Sequence, residues 1–146
     1  LLCNQILVQG VVPSMKQAGY GRIINVISTS VKQPIENLGV SNTIRGAVAN
    51  WSKTLSVELG PFGITVNNVL PGFTATDRLE DIVNSAAKRL NKTTEQARDF
   101  MTSVVPARRF AQSEEIAFGI AFLCSPAAGY INGINLPIDG GRTKSL

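Results

Sequence analysis

Histidine is absent from this chain of 146 residues. That removes every His-based nucleophilic triad, proton shuttle and metal site. Cysteine occurs twice, at Cys3 and Cys124, too far apart for metal or redox spacing. Together these absences predict no metal site. Two lone thiols read as free, buried cysteines in a reducing compartment. No block of lysine and arginine stands out, and the net charge is only +4. Nucleic-acid binding therefore has no electrostatic footprint. No uninterrupted apolar run approaches the ~20 residues that cross a bilayer. The opening stretch Leu1–Gly10 is broken by Asn4, Gln5 and Gln9 and carries no basic leader. No membrane partner is predicted, and a cytoplasmic location is expected. There is no initiator Met, and the chain opens inside an amphipathic pattern. A fragment of a longer protein is the expectation.

What is present suits one globular domain over residues 1–146. The chain is 44% hydrophobic and 16% charged, ordinary values for a packed core. Residues 2–18 repeat apolar positions near a 3.6 period, with Pro13 inside and Gly19 and Gly21 bracketing the end. Residues 22–27 form a short apolar run of the kind buried on both faces of a sheet. Residues 38–59 form a long helix whose apolar stripe is Val40, Ile44, Ala47, Val48, Trp51, Leu55 and Leu59. Gly60 and Pro61 stop it. A second strand covers 64–70 and ends at Pro71-Gly72. Residues 78–104 are helical but heavily charged. Ser113 is placed to cap a helix running through Leu123, and 134–138 is a last strand closed by Asp139-Gly140-Gly141. Strands alternating with helices predict an α/β domain, a parallel sheet flanked by helices.

Three segments carry more than fold. They are Ser28-Thr29-Ser30 with Ser41 and Arg45 downstream, Asn67-Asn68-Val69-Leu70-Pro71-Gly72, and Asp139-Gly140-Gly141. This framework resembles the C-terminal half of the short-chain dehydrogenase/reductase family, closest to its 3-oxoacyl-carrier-protein reductase-like group. The resemblance runs from Leu1 to about Gly141. It implies the last three strands of a seven-stranded, doubly wound Rossmann-like sheet, without the glycine-rich half that receives a dinucleotide pyrophosphate. No G-x-x-x-G-x-G or G-x-G-x-x-G occurs. Gly19-Tyr20-Gly21 precedes a strand and reads as a helix C-terminal turn.

The family's active site pairs a Ser with a Tyr-x-x-x-Lys on a long helix. Ser28 falls at the Ser, Ser41 at the Tyr and Arg45 at the Lys; these three are the candidate catalytic residues. As plain sequence, Ser28 is one of several turn hydroxyls, and Ser41 with Arg45 is a polar pair on one helix face. The family spacing of 13 residues from Ser28 to Ser41 favours the active-site assignment. An aliphatic hydroxyl is a far weaker acid than a phenol. Arg45 keeps the cation and can reach ribose hydroxyls but cannot relay a proton. Tyr20 lies at the amino end of its strand, away from such a site, and Tyr130 sits in a segment the family uses structurally.

The loop after the second strand is the remaining nucleotide element. In the family, backbone after Pro-Gly bonds the nicotinamide carboxamide and a Thr adds a contact. Pro71, Gly72, Phe73, Thr74 and Thr76, together with Arg45, are therefore the candidate cofactor-binding residues. As plain sequence they form a polar turn at the carboxyl end of a parallel strand, where ligands gather. The cofactor implied is NAD or NADP in the full-length protein. The substrate implied is a small carbonyl or alcohol, of 3-oxoacyl type by the subgroup. The alternative is a catalytically weak or inactive member acting as a nucleotide-binding or scaffold subunit. The family also implies a homodimer or homotetramer built on the helices at 2–18 and 38–59. Val57 and Ala49, off the main stripe, are read as a second buried face. Residues 77–109 correspond to the family's substrate lid and read as a solvated, mixed-charge face.

Overall fold

The computed structural model describes residues 1–145. Three parallel strands form the sheet in the order β1-β2-β3: Gly21–Val26, Ile64–Pro71 and Asn135–Ile138. Helices α1 (Leu2–Ala18) and α2 (Gly39–Leu59) cover one face. α5 (Ser113–Cys124) covers the other, and α3 (Asp77–Leu90) and α4 (Thr94–Ser103) pair beside the carboxyl end of β2. This is the α/β layering that the strand–helix alternation predicts, in the Rossmann-like form that the family resemblance implies. Among the described residues no helix is long and apolar enough to cross a membrane.

β2 is the centre of the core. Ile64, Val66, Val69 and Leu70 are fully buried. Their alternation sends Ile64 and Val66 toward Val8, Ile23 and Leu59, and Val69 toward Ile116, Leu123 and Ala128. Each such side chain removed from water contributes about 1.5–3 kcal/mol before entropy is charged against it.

A buried polar chain joins three elements on the α1/α2 face. Asn4 Nδ2 donates to Asn25 Oδ1 at 2.8 Å, Asn25 Nδ2 to Ser52 Oγ at 3.0 Å, and Ser52 Oγ to the Val48 carbonyl at 2.7 Å. Trp51 Nε1 adds a bond to Gln5 Oε1 at 2.8 Å. These bonds fix the rotation of α1 and α2 on β1, since a slipped helix would leave buried amides unpaired.

Several expectations need correcting. Cys3 and Cys124 are both exposed, because each lies on the outer side of its helix. β1 is buried on one face only: Gly21, Ile23 and Asn25 are buried, while Arg22 and Ile24 are half-buried and Val26 is 50% exposed, at an edge with no further partner strand among the described residues. Val40 (77%) and Ile44 (48%) belong to the helical stripe by spacing but stand clear of the core. They occupy the first two turns of α2, which project past the sheet end. Ala49 is not an outer residue; it packs with Ile27, Val48 and Leu70. Val57 is exposed, as the off-stripe reading requires. Ser113 is the first residue of α5 and not its cap. Gln112 holds the N-cap position, its amide donating to Glu115 Oε2 at 2.8 Å, and the Ser113 hydroxyl turns to the Ala75 carbonyl. Gly19 closes α1 in the left-handed conformation at φ 62°, as its place before a strand predicts.

Candidate functional site

The carboxyl ends of β1 and β2 lie side by side, because Val26 pairs with Val69 and the Ile27 amide continues the ladder to the Val69 carbonyl. The chain leaving β1 turns at once into a short 3-10 segment, Thr29–Val31. Ser28 caps it, its Oγ accepting from the Ser30 amide at 3.1 Å. That bond uses the hydroxyl oxygen as acceptor. The hydroxyl proton stays free to be donated.

α2 begins beside this turn. Asn42 Nδ2 donates to the Ile35 carbonyl at 2.8 Å and its amide to the Leu38 carbonyl, which fastens the incoming loop to the first helical turn. Ser41 and Arg45 then fall one turn apart on one face. Both line an open groove of about 750 Å³ together with Asn4, Val26, Ile27 and Ile44. Arg45 Nη1 reaches the Val26 carbonyl, 3.5 Å away. This places a permanent cation at the carboxyl end of β1, two residues before Ser28. Tyr20, at the opposite end of β1, hydrogen-bonds the Cys124 carbonyl and is remote from the groove.

The loop after β2 is held by both of its neighbours. The Gly72 amide donates to the Ile138 carbonyl, Ala75 to Ala111, and Ala111 to Phe73. Thr74 Oγ1 and Thr76 Oγ1 turn inward, to the Gly72 and Thr74 carbonyls. The Phe73 and Thr74 amides have no internal acceptor among the described residues. Two adjacent free donors at the end of a parallel strand fit the carboxamide of a nicotinamide.

Pro71–Thr76 does not line the groove that holds Ser41 and Arg45. Phe73 lines a separate depression of about 70 Å³, with Val105, Arg109, Glu115 and Asp139. The two depressions sit on the same sheet end and share no lining residue. The end of the 77–109 segment is anchored here: Arg109 makes a forked ion pair with Glu115, 2.6 Å at each oxygen. The Arg109 guanidinium and the Gln112 amide lower the Glu115 pKa to about 2, and Glu115 raises that of Arg109.

The C-terminal turn is the part of the site that sequence reading left as structure alone. Asp139 Oδ1 accepts from the Gly141 amide at 3.0 Å and Oδ2 from the Thr143 amide at 2.7 Å. Arg142 stacks over the Phe73 ring at 4.4 Å, and the Lys144 amide reaches Gln33 Oε1 at 3.3 Å. The only sequence signal was the Asp-Gly-Gly turn itself.

This chain belongs to the short-chain dehydrogenase/reductase family. The family described as enoyl-(acyl carrier protein) reductase matches residues 4–143. The NADPH-dependent reductase BacG of Bacillus subtilis (strain 168) is 39% identical over 90% of this chain and 51% of its own length. The 3-oxoacyl-[acyl-carrier-protein] reductase FabG of Haemophilus influenzae is 38% identical over 88% of this chain and 48% of its own. A crystal structure of YwfH, an NADPH-dependent reductase involved in bacilysin biosynthesis, superposes with a TM-score of 0.93 at 35% identity. It is matched over 99% of this chain and 56% of that one. The chain thus spans about half the length of the relatives it matches.

Proposed function

We propose that the full-length protein is an NAD(P)-dependent oxidoreductase interconverting a carbonyl and a hydroxyl on a small substrate of 3-oxoacyl type. One arrangement carries the reading. The Ser28 hydroxyl and the Arg45 cation stand at the carboxyl end of β1, and the free amides of Phe73 and Thr74 follow the carboxyl end of β2, the strand that pairs with β1. A nicotinamide cofactor held there would supply the hydride chemistry. Ser28 donates a hydrogen bond to the substrate carbonyl and polarises it. Arg45 stands where ribose hydroxyls would meet it. The 71–76 loop orients the carboxamide through backbone. The name of BacG and the description of YwfH, each an NADPH-dependent reductase, favour NADPH over NADH.

The second reading is a catalytically weak, nucleotide-binding or scaffold subunit, and the identity of Ser41 and Arg45 favours it. A positioned acid is worth ~10²–10⁴ in rate, and neither residue supplies one at neutral pH. Consumption of NADPH by the full-length protein on a panel of 3-oxo substrates separates the two. Turnover supports the enzyme; tight NADPH binding with no turnover supports the subunit; no binding of either nicotinamide cofactor refutes both.

A homodimer or homotetramer goes with either reading. Leu2, Ile6, Leu7 and Val57 form apolar outer faces on α1 and α2, surface that a second copy would cover. Light scattering that gives a monomer at micromolar concentration would remove this part of the proposal.

A further inference from the structure

The segment 139–144 touches both halves of the site. It leaves β3 against Gly72, passes Phe73 and ends on Gln33, three residues beyond the Ser28-Thr29-Ser30 turn. Arg142 lies midway along it. The turn presenting Arg142 is rigid. Asp139 holds the amides on both sides of it, and Gly140 and Gly141 take left-handed conformations at φ 64° and 84°. Gly140 also has no room for a side chain, since a Cβ there would meet Val105 at 2.8 Å.

The guanidinium itself is half-buried, and burial lowers its pKa while the Asp139 charge opposes the fall. Asp139 is near enough to be felt but is committed to backbone amides. Among the described residues no carboxylate pairs with the Arg142 guanidinium and no acceptor takes a hydrogen bond from it, the backbone amide alone donating, to the Asp139 carbonyl. The guanidinium's one partner is the Phe73 ring, 4.4 Å below. Arg109, a neighbouring cation, is already spent on Glu115. A half-desolvated arginine with its donors unanswered is costly unless an anion completes it. Stacking on an aromatic face leaves the planar fork of donors free for a two-oxygen acceptor.

We propose that Arg142 is a specificity-determining residue that binds a carboxylate carried by the substrate. It rests on the oxidoreductase reading above, because Phe73 ties Arg142 to the cofactor loop. It goes beyond that reading by fixing the substrate class as an oxo or hydroxy acid in place of a neutral ketone. An alternative source of the same chemistry is a phosphate of the cofactor.

The test compares a 3-oxo acid with its uncharged ethyl ester, using full-length protein and NADPH, in wild type, Arg142→Met and Arg142→Lys. Arg142→Met is expected to raise KM for the acid about 10- to 100-fold, the range of a lost charge-assisted pair. It should leave the ester within about twofold. Arg142→Lys should recover part of the loss, since it keeps charge without the fork. Equal losses on acid and ester, or no loss on the acid, overturn the proposal. Weakened NADPH binding in Arg142→Met, measured without substrate, assigns the anion to the cofactor and also overturns it. If wild type turns over neither substrate, the oxidoreductase reading fails separately. Calorimetric titration of the acid into the NADP⁺ complex then decides: binding lost in Arg142→Met upholds the site, and absent or unchanged binding refutes it.

Discussion

Gly72 and Asp139 pack backbone to backbone: a Cβ on Gly72 would lie 2.6 Å from the Asp139 Cα. The loop after β2 and the turn after β3 are therefore one unit, and the absence of a side chain at position 72 is what lets them meet. The nearest atom is backbone, so it cannot swing aside. Gly72→Ala is expected to push the 71–76 loop off the turn at a cost of about 1–3 kcal/mol. NADPH affinity of the full-length protein should fall with it. Unchanged stability and affinity in that variant would show that the loop tolerates separation from the turn.

Asn25 makes a second prediction. It is buried in β1 and bridges Asn4 of α1 to Ser52 of α2. Asn25→Ala leaves the Asn4 amide without its acceptor and is expected to destabilise the protein by about 1–3 kcal/mol. Denaturant unfolding of the full-length protein measures this. A loss under about 0.5 kcal/mol, the usual size for surface changes, would mean the network is not structural.

Glu115 makes a third, with a defined sign. Its folded pKa is lowered to about 2. Its contribution is therefore present above the ordinary carboxylate value and disappears as pH falls through about 2. The pair is solvent-exposed, so the effect is small and screened by salt. The difference in Tm between wild type and Glu115→Gln should be constant near neutrality, shrink between pH 4.5 and 2, and narrow in high salt. A difference that grows on acidification would contradict the ion pair as its cause.

Much of the fold was legible because periodicity and punctuation agree. The α2 stretch reads as a helix from its spacing and its Gly60-Pro61 stop, and it forms Gly39–Leu59. Gly19 and Pro71-Gly72 mark ends that the structure keeps. Exposure was less legible. Val40 and Ile44 have core spacing but no layer above them, and only tertiary placement decides that. Cys3 and Cys124 failed for the same reason: residue type gives a burial tendency, while helix rotation gives the outcome. At the site, the spacing of Ser41 and Arg45 put both in one groove. The separation of that groove from the Phe73 depression was not legible, because it depends on how the C-terminal turn seats against Gly72. Arg142 was missed because nothing local distinguishes it from any charged residue near a terminus. Its position over Phe73 arises from contact across about seventy residues.

The most direct measurement is NADPH oxidation on a 3-oxo substrate by full-length wild type and by the Ser41→Tyr/Arg45→Lys variant. The groove holds both positions on one helix face, with Val26 and Ile27 of the chain that leads into Ser28. Supplying a phenol next to an ammonium should therefore restore a missing proton donor. The variant is expected to turn over about 10²-fold or more faster than wild type, with NADPH affinity changed little. Wild-type turnover equal to that of the variant, or loss of activity in the variant with the cofactor still bound, would contradict a site that keeps the family's framework but lacks its acid.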